Sequence, residues 1–168
     1  MTSESKRPLI FSTRVLPPEM EEALNNAGLE LQSQNFIKVE NTFDENSLRE
    51  CLLHSESVAR VFTSKNAVRS IKALLQSEPN LQIPEKKTFT VGIRATEMLE
   101  EIGIKSNVRA ENALKLAQII ARNPDVKSID FFCGNKALDD LPEYLESKNI
   151  RVHKEVVYET ELVHAEVE

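Results

Sequence analysis

The sequence predicts an α/β protein: a parallel sheet with helices on both faces. Short apolar runs with strand character alternate along the chain with longer segments of helical periodicity. Three junctions, Asn26-Ala27-Gly28-Leu29, Glu101-Ile102-Gly103-Ile104 and Ser147-Lys148-Asn149-Ile150, each end a helix with Gly or Asn and start an extended segment with an aliphatic residue. Gly and Asn tolerate the left-handed backbone that stops a helix. The repeated order of helix, stop and strand calls for parallel strands joined by crossovers. At 168 residues, 40% hydrophobic and 29% charged, the chain is long enough to bury a core.

The first seven residues are polar and are expected to be loose. Residues 8–13, Pro-Leu-Ile-Phe-Ser-Thr, read as a buried strand. Pro17 and Pro18 open a helix with Met20, Ala23, Leu24 and Ala27 on its apolar face, and Gly28 terminates it. Extended segments follow at 29–31 and 36–39, then a short helix at 46–53. The remainder alternates: strand 58–62, helix 65–76, a proline-containing loop 76–87, strand 88–92, helices 95–102 and 111–122, strand 128–133, helix 140–148 and strand 151–158. Asp140-Leu141-Pro142-Glu143 reads as a capping box with proline in the first turn.

Composition excludes several classes of function. A formal charge of −6 argues against nucleic acid or an acidic membrane as the main partner, because either demands a basic surface. No apolar run reaches membrane-span length and the start has no signal-peptide core, so a cytoplasmic protein is expected. Cys51 and Cys133 form no metal-type spacing with His54, His153 or His164, and both read as reduced, buried thiols. Neither a metal nor an organic cofactor is expected.

In sheets of this kind ligands bind outside the carboxyl ends of the strands. The turns there hold Thr13 and Arg14; Thr63, Ser64, Lys65 and Asn66; Gly92 to Thr96 with Arg94; and Cys133 to Lys136 with Gly134 and Asn135. Each offers hydroxyl, amide or basic groups beside free backbone N–H donors, a setting for anions. The same hydroxyls also cap helices: Ser64 and Thr96 serve that role as readily as ligand binding. Arg14 could instead pair with a carboxylate on the following helix, and Tyr158 could be a packing residue at a strand end. No nucleophile–base pair accompanies these donors. A receiver-type or flavodoxin-like domain fits less well, since the turns lack an acidic cluster and an aromatic-flanked phosphate loop.

The ordered set Phe11-Ser12-Thr13-Arg14, residues 61–68 (Val-Phe-Thr-Ser-Lys-Asn-Ala-Val), residues 91–96 (Val-Gly-Ile-Arg-Ala-Thr) with Glu101 to Gly103, residues 132–135 (Phe-Cys-Gly-Asn) with Leu141-Pro142, and residues 156–160 (Val-Val-Tyr-Glu-Thr) resembles uroporphyrinogen-III synthase. No single motif is specific; their order and spacing carry the resemblance, over nearly the whole chain. It implies one complete α/β domain at 39–161, flavodoxin-like in architecture, and a β-α-β piece of a second similar domain at 1–38 with a tail at 162–168. The family's second Phe-Thr-Ser-type turn and second Gly-x-x-Thr turn, which belong after Thr160, are missing from this sequence.

The resemblance also implies a chemistry. The family closes the linear tetrapyrrole hydroxymethylbilane to uroporphyrinogen III, with inversion of the last ring and no cofactor. Loss of the terminal hydroxyl gives an azafulvene stabilised by the pyrrole itself, so holding the two ends in the correct orientation matters more than any single acid or base. Thr13, Arg14, Thr63, Ser64, Lys65, Asn66, Arg94, Gly134 and Asn135 would then bind the acetate and propionate carboxylates. Thr96 and Tyr158 would act at the reacting end, Tyr158 as hydrogen-bond donor to the departing hydroxyl. Two readings stay open: a synthase, completed by self-association or by a complementing polypeptide, or a catalytically incomplete ligand-binding module of the same family.

Overall fold

The computed structural model of the chain describes residues 7–163. The expectations for residues 1–6 and for the tail 164–168 lie outside those residues. Contacts divide the chain into two units, a larger one spanning Val39–Thr160 and a smaller one holding the segments up to Lys38 and from Glu161.

In the smaller unit, β1 (Leu9–Ser12), α1 (Pro18–Asn26) and β2 (Glu30–Ser33) form a single β-α-β crossover. The two strands pair in parallel, from Leu9 opposite Glu30 to Ser12 opposite Ser33. Pro17 holds the extended backbone that precedes α1, and Pro18 occupies its first turn, where the missing N–H costs nothing. Gly28, at φ +77°, ends the helix as expected. The apolar face read for α1 is not buried: no α1 residue is buried and Met20 is 46% exposed. A two-stranded ribbon offers too narrow a surface to cover a helix, and β1 and β2 themselves alternate exposed and half-buried residues.

The larger unit contains α2 (Glu45–His54), β4 (Ala59–Phe62), α3 (Lys65–Ser77), β5 (Lys87–Val91), α4 (Ile93–Glu101), β6 (Val108–Ala110), α5 (Ala113–Ala121), β7 (Ser128–Gly134) and α6 (Asp140–Glu146). Strands β3 (Ile37–Asn41) and β8 (Arg151–Leu162) run across the boundary between the units. The six-stranded sheet has the order β3-β8-β7-β4-β5-β6. The pairs β8/β7, β7/β4, β4/β5 and β5/β6 are all parallel.

Every residue of the central strands β4 and β7 is buried, the pattern of a sheet covered on both faces. Alternate side chains feed two cores. Ala59, Val61, Ile129 and Phe131 pack on one face with Leu116, Ala117 and Ile120 of α5 and Leu141 and Leu145 of α6. Phe62, Phe132 and Val157 pack on the other with Leu48 and Leu52 of α2, Val68, Ile71 and Leu74 of α3 and Leu99 of α4. Phe62 and Phe132, directly opposite in register, stack with centroids 4.9 Å apart.

The left-handed stops expected at residues 103 and 149 are present, Gly103 at φ +79° and Asn149 at φ 59°. Three local readings needed correction. The segment after Gly103 does not enter a strand at Ile104; β6 begins only at Val108. Asn107 bridges the gap, donating its N–H to the Thr88 carbonyl at 2.8 Å and accepting the Thr88 N–H at its Oδ1. Strand β8 continues to Leu162, beyond the expected end at 158. The capping box at Asp140 does not form: Asp139 takes the N-cap position without a side-chain cap, and its carboxylate pairs with Lys154 at 3.0 Å. An opposite charge nearby competes successfully with the helix N–H groups.

Candidate functional site

Because β4, β5, β7 and β8 are parallel, the turns after them gather at one rim of the larger unit. There Thr63 and Ser64, following β4, face Tyr158 and Thr160 of β8 and Lys136 of the β7–α6 turn. Together with Val91, Ala113, Phe131, Ala137, Leu138 and Leu141 they line a hollow of about 400 Å³. Its lining is mostly apolar, with hydroxyls from Thr63, Ser64, Tyr158 and Thr160 and the Lys136 ammonium among it, a combination suited to an apolar ligand with carboxylates.

Ser64 is the N-cap of α3. Its hydroxyl accepts the Asn66 N–H at 3.1 Å, and its backbone is extended at φ −143°, ψ 139°. The other first-turn N–H groups of α3 have no intrahelical partner, and the helix dipole adds partial positive charge at that end. Lys65 is exposed and Asn66 half-buried, its Oδ1 accepting from Arg69 at 3.1 Å.

Tyr158 is positioned by a β-bulge. Cys133 pairs with Val156, but the next residue, Gly134, pairs with Tyr158. The skipped Val157 turns into the core, fully buried, while Tyr158 remains half-buried at the hollow. A Cβ on Gly134 would collide with the Tyr158 ring, so the absence of a side chain there makes room for the phenol. Asn135 clamps the same strand: its N–H donates to the Tyr158 carbonyl at 3.1 Å, and its Oδ1 accepts the Thr160 N–H at 2.9 Å. Gly134 and Asn135 therefore hold Tyr158 in place, with the Asn135 Oδ1 already engaged.

The remaining expected residues are placed elsewhere. Thr96 does not line the hollow; its hydroxyl is 2.8 Å from the Thr90 hydroxyl and 3.2 Å from the Gly92 carbonyl, inside a polar knot with Ser106. Arg94 extends into solvent from the first turn of α4 and pairs with Glu97 at 3.6 Å. Thr13 and Arg14 belong to the smaller unit, where both are exposed at the carboxyl end of β1. Ser64 and Tyr158 line the hollow and Thr96 does not. Lys136 and Thr160 lie at the hollow without having been read as ligands. Thr160 is two residues past Tyr158 on the same strand, a position visible only once β8 is known to run on.

Both thiols are buried, Cys51 at 6% and Cys133 at 1% exposure. Burial is the first cause that pushes the Cys51 thiol up to about 12 and the Cys133 thiol up to about 11. Neither is a nucleophile at neutral pH. Among the described residues no helix is long and apolar enough to cross a membrane.

Comparison with known proteins fits this geometry. The chain resembles a mutant uroporphyrinogen III synthase of Thermus thermophilus at a TM-score of 0.71 and 14% identity, covering 91% of this chain and 62% of that one. The uroporphyrinogen-III synthetase of Helicobacter pylori matches at a TM-score of 0.56 and 17% identity, covering 96% of this chain and 65% of that one. At such identities the likeness establishes the fold, and the chain spans less than two thirds of the length of these relatives. No curated protein matches the sequence. The sequence model of one family, described as uroporphyrinogen-III synthase HemD, matches residues 18–168. With nearly all of its length inside that match, the chain belongs to the uroporphyrinogen-III synthase HemD family.

Proposed function

We propose that the chain binds hydroxymethylbilane through the hollow at the carboxyl rim of its larger unit and directs its closure to uroporphyrinogen III. The observation that carries this reading is the convergence of Thr63, Ser64, Lys136, Tyr158 and Thr160 on one hollow that apolar residues also line. Carboxylates of the substrate would sit against the α3 N-terminus and the Lys136 ammonium, with pyrrole rings over Phe131 and Leu141. Tyr158, fixed by the bulge and by Asn135, would donate a hydrogen bond to the departing hydroxyl, which leaves with a proton as water. A phenol is a weak acid, so this assistance is expected to contribute about ten- to a hundredfold. The exposed Arg94, Thr13 and Arg14 are proposed as further carboxylate partners. Thr96 is proposed to shape the Gly92 turn through the hydrogen bond it donates there. The two unpaired thiols suit a reducing, cytoplasmic setting.

A coupled assay that generates hydroxymethylbilane and separates the type I and type III products tests the activity. An excess of type III over the spontaneous ratio is expected. The spontaneous ratio with substrate still bound would favour the second reading, a module that binds without steering closure. The exposed face of α1 in the smaller unit is the observation on that side.

Ser64 allows the anion-binding role to be separated from capping. Ser64→Ala removes the cap and is expected to lower stability by about 1 kcal/mol. Ser64→Asp keeps a capping oxygen and suits the helix dipole, so its stability should match the wild type, yet its charge repels a carboxylate. Thermal unfolding together with tetrapyrrole binding reads both effects. Unchanged affinity in Ser64→Asp would remove the α3 terminus from the binding site.

A further inference from the structure

A second hollow, of about 610 Å³, lies at the opposite, amino end of the strands and plays no part in the function proposed above. It is built on two regular elements. On β8, His153 and Glu155 are two residues apart and share the sheet face that carries Asp130, the register partner of His153. Helix α2 covers that face and brings Ser47 and Cys51, one helical turn apart, against the same two residues. Donor atoms of Cys51, His153 and Glu155 all lie within 4.8 Å of one another. Cys51 stands 102 residues before His153, which is why spacing along the chain gives no hint of the cluster.

We infer that Cys51 Sγ, His153 Nδ1 and a Glu155 carboxylate oxygen form a binding site for a borderline divalent transition metal, with Zn²⁺ the best match.

The donor set selects the ion. One sulfur, one imidazole nitrogen and one carboxylate oxygen suit Zn²⁺ or Co²⁺ and disfavour Mg²⁺ and Ca²⁺, which take oxygen ligands. The distances agree. Tetrahedral Zn²⁺ with bonds of about 2.3 Å to sulfur and about 2.0 Å to nitrogen sets those two atoms about 3.5 Å apart. In the structure Cys51 Sγ and His153 Nδ1 are 3.8 Å apart. One ligand also has a supporting group, as metal sites favour. Ser47 Oγ donates to Glu155 Oε1 at 3.2 Å. The fully buried Asp130 carboxylate has other partners: its Oδ1 accepts the Ser55 hydroxyl at 2.7 Å, Lys86 Nζ stands 3.7 Å from its Oδ2, and its 3.4 Å contact with His153 Nδ1 is one that a bound ion replaces. Three protein donors leave the fourth position to water, reached through the open side of the hollow. On binding, the Cys51 S–H gives its proton to solvent and the sulfur lone pair forms the metal bond; no electron is transferred.

The test is titration of the whole chain with Co²⁺, followed by displacement with Zn²⁺. A near-ultraviolet thiolate-to-Co²⁺ band is expected in the wild type, lost in Cys51→Ser and retained in Cys133→Ser. Competition with a chromogenic chelator is expected to show Zn²⁺ binding weakened at least about tenfold in His153→Ala and in Glu155→Gln. His153 is largely exposed, so its variant reports on binding even where Cys51→Ser fails to fold. Co²⁺ binding without the thiolate band, or equal Zn²⁺ affinity in the wild type and the His153 and Glu155 variants, would overturn the site. The rim hollow and the product ratio are read by separate experiments, so failure here leaves the proposed function standing.

Discussion

Replacing Asp130 by asparagine is expected to lower the unfolding free energy by about 3–5 kcal/mol, the cost of breaking a buried charge group from one side. The substitution keeps volume and shape, so packing is not the cause. Asp130 lies fully buried on β7, directly opposite Arg60 of β4, which is itself 1% exposed. Burial pulls the Arg60 guanidinium below its ordinary value, and the Asp130 charge pushes it back up. The guanidinium donates to the Leu52 carbonyl at 2.7 Å and the Pro84 carbonyl at 2.8 Å, while its Nε has no partner. Lys86 Nζ stands 3.7 Å from Asp130 Oδ2 and donates to the Ser55 carbonyl at 2.7 Å. Neutralising Asp130 leaves two cations on the inner side of the sheet with backbone carbonyls as their remaining partners. Denaturant unfolding in the presence of a chelator measures the effect free of any metal. Glu111→Gln, which breaks the exposed pair with Lys115, is the control and should cost far less, since solvent screens that pair. A comparably small cost for Asp130→Asn would mean that the cluster is hydrated and contributes little.

The second large effect is expected at Gly134. Its backbone is not in the left-handed region, so alanine carries no conformational penalty there. The whole cost arises from the new methyl group against the Tyr158 ring. Overpacking of this kind costs about 1–3 kcal/mol and displaces the ring. In a Tyr158→Ala background the methyl meets open space and the cost should vanish, giving a coupling energy of about the same size. Equal costs of Gly134→Ala in both backgrounds would contradict the contact. In the synthase assay, Gly134→Ala should reduce activity to the level of Tyr158→Phe, since both remove a correctly placed phenol.

Much of this molecule is legible in its sequence. Buried runs such as residues 128–133 and stops such as Gly103 and Asn149 report a covered parallel sheet, because both signals are local. Strand β6 escapes notice: three residues with Arg109 in the middle carry no periodicity, and their place depends on Asn107 bonding to a neighbouring strand. The exposure of α1 is likewise invisible, since a helix face shows what should be buried and not whether a partner surface exists. At the rim, turns and motif order point to Thr63, Ser64 and Tyr158, and all three line one hollow, while their roles stay a proposal. Thr96 was not separable from a capping residue, because one hydroxyl satisfies either role and the choice is made by Thr90, six residues away. The bulge that aims Tyr158 depends on register between strands, and no single strand records it.

Backbone amide shifts during titration with uroporphyrin, a stable tetrapyrrole bearing the same acetate and propionate groups, test carboxylate binding at the rim most directly. The expected result is saturable movement of Thr63 to Asn66, Lys136 and Tyr158 to Thr160, with Ser128 and Arg151 at the other end of the strands unmoved. Saturable binding that shifts Ser128 and Arg151 while leaving Ser64 and Tyr158 in place would contradict it.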